Sequence, residues 1–199
     1  MPLHVKWSDG RMQVKQRQDE QIQQSVDALK KGGLIAYPTE AVFGLGCDPR
    51  NEAALKRLLQ LKERDIEKGF ILIAANYEQL KPFLLALDKT TESELLASWP
   101  GPVTWLVPAN ETVNISLRGA HTTLAVRVTD HPIVQQLCLA FGGAIVSTSA
   151  NPAGKNPAKN VKQVKDYFNN ALDVIIDGQT GDLNKPTQIR DALSKQVLR

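Results

Sequence analysis

The amino-acid sequence predicts a single-domain α/β fold, an open twisted sheet of mixed strand direction with flanking helices. Short, wholly apolar runs, as at residues 34–37 and 70–75, alternate with segments whose apolar residues recur every three or four positions, the pattern of strands covered by amphipathic helices. That alternation fails in the middle of the chain. The strand-like runs 103–107 and 123–128 follow one another without a helical pattern between them, so the sheet is not wholly parallel. No repeat, low-complexity tract or Ser/Gly-rich linker divides the 199 residues.

Residues 1–18 are polar, rich in Lys, Arg and Gln, and are expected to form a loose N-terminal arm ahead of one domain spanning 19–199. Ile22, Val26 and Leu29 then share one helix face, and Gly32-Gly33 stop that helix. Residues 34–37 read as a buried strand closed by Pro38, which holds Tyr37 extended and removes a ladder donor. Asp48-Pro49 reads as an N-cap and first helical residue ahead of Leu55, Leu58 and Leu59. Residues 70–75 make a second buried strand, 77–87 are expected to be mostly helical despite Pro82, and 92–99 form a short helix that Pro100-Gly101-Pro102 stops. The runs 103–107 and 123–128 are strands, and 132–141 is a helix capped by Asp130. A strand at 144–147, a helix at 161–168 and a strand at 174–176 complete the pattern.

With 42% hydrophobic and 23% charged residues, the chain resembles an ordinary globular domain, large enough to bury a core without a disulfide or metal staple. Lys plus Arg total 24 against 21 Asp plus Glu, a net charge of +3, which is mild for a dedicated nucleic-acid binder and compatible with a local anion-binding patch. Cys47 and Cys138 have no Cys or His at ligand spacing, so neither a zinc site nor a disulfide framework is expected, and the chain is placed in the cytoplasm. The first fourteen residues carry Lys6, Asp9 and Arg11 and no secretory apolar stretch. No apolar run approaches the ~18 residues of a membrane span.

Gly154-Lys155 lacks the preceding glycine of a phosphate-binding P-loop, and Gly44-Leu45-Gly46 lacks the third glycine of a dinucleotide fingerprint. His4, His121 and His131 are scattered, which disfavours a nucleophilic triad. Three features remain. Lys62-Glu63-Arg64, followed by Lys68, ends the helix of Leu55 and Leu58, and Lys62 continues its apolar stripe; the cluster suits an anion, or simply complements the helix dipole. A strand runs into Ser147-Thr148-Ser149-Ala150-Asn151-Pro152, whose hydroxyls and amide suit phosphate or carboxylate oxygens and equally suit a turn. Strand alternation places Thr123, Ala125 and Arg127 on one face, where the guanidinium needs either an anionic ligand or a salt-bridge partner.

In order and spacing, Tyr37-Pro38-Thr39-Glu40 with Val42-Phe43-Gly44-Leu45-Gly46, Lys62-x-Arg64, Ala125-Val126-Arg127 and Ser147-Thr148-Ser149-Ala150-Asn151 resemble the YrdC/TsaC family in its short bacterial form. The resemblance runs from about residue 19 to the C-terminus and includes 184–193. It implies a YrdC-like sheet with a basic concave face and the activity of an L-threonylcarbamoyladenylate synthase. This nucleotidyltransferase would condense L-threonine, bicarbonate and ATP, with Mg²⁺ accompanying ATP, into threonylcarbamoyl-AMP and pyrophosphate for the t6A modification of tRNA. It implies Lys62 and Arg64 as catalytic residues, and Arg64, Lys68, Thr123, Ser149, Asn151 and Arg199 as ATP ligands. Thr39, Arg127, Ser147 and Thr187 would hold threonine. The stems of Lys62 and Arg64 are expected to rest on the helix end with their heads in the cavity, so truncation would cost activity and little stability. The resemblance further implies tRNA or RNA contact and the pathway proteins TsaD, TsaB and TsaE as partners, with no membrane. Two positions depart from many relatives, Ala41 where they carry a second Thr and Asp65 where they carry Pro. The alternative from another class is a non-catalytic RNA-binding protein of rRNA or tRNA maturation, since a basic concavity also fits an RNA backbone.

Overall fold

Helix α1 (Lys6–Lys30) presents Ile22, Val26 and Leu29 as a buried stripe, and Gly32, at a φ of +78°, turns the chain out of it into strand β1 (Ile35–Pro38). The structure is a computed structural model and describes residues 6–183 and 187–198. Residues 6–18, expected as a loose arm, continue the helix. Straight-chain Gln, Lys and Arg dominate the stretch and favour helix over coil, and its end is tied to the domain where Gln18 Nε2 donates to Asp177 O at 3.3 Å.

Strand β2 (Phe43–Gly46) runs antiparallel to β1 and escaped the sequence reading because two of its four residues are glycine. Packing demands them: a Cβ on Gly46 would lie 2.5 Å from Val146 O and 2.9 Å from the Tyr37 ring. Helix α2 (Glu52–Leu61) is capped by Asn51, whose Oδ1 accepts from Ala54 N at 3.0 Å. The expected Asp48-Pro49 cap is corrected, for Asp48 closes the preceding turn by accepting from Arg50 N at 2.9 Å. Strand β3 (Ile71–Ala74) follows. Residues 77–87 are not helical as expected but hold two single 3-10 turns, Tyr77–Gln79 and Lys81–Phe83, because Pro82 has no N–H to extend an α-helical ladder.

Helix α3 (Lys89–Ala97) leads to β4 (Val103–Pro108), the short α4 (Ile115–Arg118) and β5 (Thr123–Val128). Helix α5 (Pro132–Phe141) has His131, not Asp130, at its N-cap and no side-chain cap bond, Pro132 needing no donor partner at the first position. Strand β6 (Ile145–Ser149), α6 (Val161–Phe168), β7 (Val174–Ile175) and β8 (Gln188–Asp191) complete the described elements. The eight strands form one mixed sheet in the order β7-β1-β2-β6-β3-β5-β4-β8, parallel only at β1–β7, β3–β5 and β4–β8.

Strand alternation sorts the two faces. Leu34, Ala36, Leu72, Val126 and Val128 meet α2, α3 and α6, whereas Ile35, Tyr37, Ile73 and Ile145 meet α1 and α5. The second face is only partly covered. Ile71 registers with Ala125 and Ser147, and Ala125 with Leu106, so these residues and Arg127 share the face of Ile73. Instead of packing under a helix they floor a cavity.

Candidate active site

The cavity encloses about 640 Å³. Thr39, Ala41 and Val42 enter from the β1–β2 turn, Arg64, Lys68 and Phe70 from the segment after α2, Arg118 and His121 from α4 and the turn behind it, Lys159 from the loop after β6, and Leu183 and Thr187 from the approach to β8. Arg64, Lys68, Arg118, Arg127 and Lys159 line it, and among the described lining residues there is no Asp or Glu. Such a concave surface, with one sign of charge and apolar walls, concentrates anions.

Its two ends differ. Arg127 is 5% exposed, and one of its terminal nitrogens lies 3.2 Å from Glu40 Oε2. Glu40 Oε1 accepts from Thr129 Oγ1 at 2.6 Å, which fixes the carboxylate, while Arg127 Nε finds no partner among the described residues. The two sequence readings of Arg127, salt bridge and cavity residue, are therefore both realised. Thr123 lies four residues earlier on the same strand, about 13 Å away at strand rise. There the wall carries Lys68 and Lys159, both exposed, and the half-buried Arg118. The cavity thus runs from a buried, internally paired end to an open, cationic one.

Lys62 lies behind this wall rather than in it. It is 6% exposed, and its Nζ donates to Ser149 O at 2.6 Å, to Asn151 Oδ1 at 3.1 Å and to Asn151 O. Ser149 Oγ also donates to Asn151 Oδ1, at 2.6 Å, and Asn151 Nδ2 donates to Pro152 O and Lys155 O. Burial, with Arg64 adding to it, pushes the Lys62 ammonium down to about 8. Arg64 departs in another direction because Glu63 takes the left-handed conformation, φ +47°, and reverses the chain after α2. Arg64 Nε donates to Gly69 O at 2.9 Å, and its guanidinium lies over the Phe70 ring at 5.5 Å.

Eight residues expected at the site meet here: Thr39, Arg64, Lys68, Thr123, Arg127, Ser147, Ser149 and Thr187. Lys62 and Asn151 are placed one layer back, and Arg199 lies outside the described residues. Asp65 is exposed and outside the cavity wall, its carboxylate accepting from Glu67 N at 3.0 Å to cap the 3-10 turn Ile66–Lys68. Ala41 lines the cavity without a hydroxyl. Sequence reasoning missed Glu40, Arg118, His121 and Lys159. Of these only Glu40 carried a local signal, next to Thr39, since the others arrive from segments that meet only in three dimensions.

Comparison with known proteins bears on this geometry. The family Sua5/yciO/yrdC, described as Telomere recombination, matches residues 27–199. A Chromohalobacter salexigens protein named threonylcarbamoyl-AMP synthase is 53% identical over 90% of this chain and 97% of its own, and a Vibrio cholerae protein of the same name is 51% identical over 90% and 97%. The solved structure of P. abyssi Sua5 complexed with L-threonine superposes with a TM-score of 0.80 at 30% identity, covering 85% of this chain and 50% of that one. The chain therefore spans about half the length of that structure. E. coli YciO superposes with a TM-score of 0.75 at 26% identity, over 87% of this chain and 84% of its own. A mixed sheet with one partly open face, most of the motif residues in the cavity there and a match over residues 27–199 agree: the chain belongs to the Sua5/yciO/yrdC family.

Proposed function

We propose that the chain is an L-threonylcarbamoyladenylate synthase that condenses L-threonine, bicarbonate and ATP into threonylcarbamoyl-AMP and pyrophosphate for t6A modification of tRNA. One observation carries this reading: in a chain of net charge +3, five Lys and Arg line a single cavity, and no described carboxylate lines it with them. The relatives' shared name supplies the reaction, and the threonine bound to P. abyssi Sua5 supplies the amino acid.

The threonine amine would add to bicarbonate with loss of water, and an oxygen of the resulting N-carboxylate would attack the α-phosphorus of ATP as the bond to the β-phosphate breaks and pyrophosphate leaves. Carboxylate, carbamate and triphosphate repel one another, so the protein must align them and offset their charge. At the buried end, Arg127 with the hydroxyls of Thr39, Ser147 and Thr187 suits the amino-acid carboxylate, and the pairing with Glu40 keeps that end from attracting a polyphosphate. At the open end, Arg64 and Lys68, with Thr123 and Ser149, suit the nucleotide. Magnesium would enter with ATP and would offset charge on the phosphate oxygens. Nucleotidyl transfer, cytoplasmic location and hand-over to TsaD, TsaB and TsaE belong to the same proposal.

The RNA-binding alternative fits less well, because Phe70, Ile71, Leu106 and Ile189 line the cationic cavity too, which suits a small molecule better than a phosphodiester backbone. With ATP, Mg²⁺, bicarbonate and threonine the protein is expected to release pyrophosphate, and omission of threonine or of bicarbonate is expected to stop it. Release indifferent to both would overturn the assignment.

A further inference from the structure

Two glycines that the reaction does not use shape the open end of the cavity. Gly69 (φ +56°, ψ −171°) and Gly119 (φ +69°, ψ −151°) both take a positive-φ, extended-ψ conformation that is essentially reserved for glycine, and their segments are pressed together. Phe70 N donates to Leu117 O at 2.7 Å, Ala120 N donates to Glu67 O at 3.1 Å, a Cβ on Gly69 would lie 2.7 Å from Arg118 C, and one on Gly119 would lie 2.2 Å from Glu67 O. Each glycine is preceded by a cation, Lys68 and Arg118, so the back-to-back turns bring these two positive residues to neighbouring places on the cavity wall. Arg64 is anchored to the same turn through Gly69 O. Arg118 is held in turn, one of its terminal nitrogens donating to His121 O at 2.5 Å.

Three cations forced together repel, and here no carboxylate relieves them: among the described residues none of Arg64, Lys68 and Arg118 takes part in an ion pair, and the nearby Asp65 carboxylate is occupied with Glu67 N. Cations that converge unpaired on a cavity wall are a ready site for a multiply charged anion. We propose that Arg118 is a further ligand of the reacting phosphates, forming with Arg64 and Lys68 an arc that grips the β- and γ-phosphates of ATP and holds the pyrophosphate as it departs. The proposal rests on the reading of the cavity as a nucleotide site. A polyphosphate is the ligand class that suits the arc, since its charge is multiple and spread over linked phosphates, whereas a carboxylate carries a single charge on two oxygens.

The test uses inorganic pyrophosphate, titrated calorimetrically into the full chain and into Arg118→Gln and Arg118→Lys, with AMP as the second probe. Pyrophosphate is expected to bind the unaltered chain and to bind Arg118→Gln at least about tenfold more weakly, the loss of one charge-assisted hydrogen bond, with part of the loss restored in Arg118→Lys and AMP affinity unchanged. Equal pyrophosphate affinity in all three proteins would overturn the proposal, as would a matched loss of AMP affinity, which would mark Arg118 as a support of the whole site. A chain that binds pyrophosphate through Arg118 but makes no threonylcarbamoyl-AMP would leave the arc standing and remove the proposed reaction.

Discussion

Lys62 and Arg64 lie two residues apart and have opposite surroundings. Lys62 gives its three protons to oxygens of residues 149–151 and is buried, so Lys62→Met strands carbonyls behind the cavity wall and is expected to cost about 2–3 kcal/mol of stability. Arg64 lines the cavity, and Arg64→Ala is expected to lower turnover about a hundredfold at a nearly unchanged melting temperature. Thermal melts and steady-state rates on the two variants separate the roles. The titration of Lys62 supplies a second check. Its ammonium is held down to about 8 from the ordinary 10.5, so between those values the unfolded chain binds this proton and the folded chain does not. The stability this group contributes therefore rises with pH across that window and is least below 8. Binding runs the other way, since a neutral amine has two N–H for three acceptors. The KM for ATP is expected to rise as pH climbs through about 8, and not to rise in Lys62→Arg, whose guanidinium stays charged. The same rise in both proteins would detach it from Lys62.

Glu63 is the element-scale counterpart, for its left-handed backbone closes α2 and parts Lys62 from Arg64. Glycine takes that conformation without a Cβ penalty, so Glu63→Gly is expected to keep activity and to match or raise stability by up to about 1 kcal/mol, whereas Glu63→Val is expected to lower stability by a similar amount, read as melting temperatures. This reversal also explains where the sequence misled. The stripe Leu55, Leu58, Lys62 places Lys62 on the buried side, as the structure does, but nothing in Lys62-Glu63-Arg64 announces a non-glycine residue at positive φ, so the sequence alone sends both cations to the cavity. Elements with strong periodicity or β-branched runs were legible, α6 and β5 to the residue. Those whose cause is tertiary were not: β2 is glycine-rich because Tyr37 packs on it, and β8 is a mixed Gln-Ile-Arg-Asp run.

Over the whole molecule, mild net charge conceals a strong local asymmetry. Arg64 and Lys68 from the segment after α2, Arg118 from α4, Arg127 from β5 and Lys159 from the loop after β6 converge only when β3, β5 and the loops around them assemble, so composition alone makes the patch look weaker than it is. Motif resemblance supplied the residues adjacent in sequence to recognisable strings, while Arg118 and Lys159 belong to none. Eight of the expected residues share one cavity with a buried arginine at one end and exposed cations at the other, an arrangement suited to joining an amino acid, a one-carbon anion and a nucleotide. The direct measurement is a single incubation of the purified chain with Mg–ATP, threonine and ¹⁴C-bicarbonate, with rapid separation of the nucleotides. A threonylcarbamoyl-AMP synthase makes an adenylate that carries both the labelled carbon and threonine and forms in step with pyrophosphate; AMP and pyrophosphate without label, or a threonine adenylate lacking the bicarbonate carbon, would contradict this function.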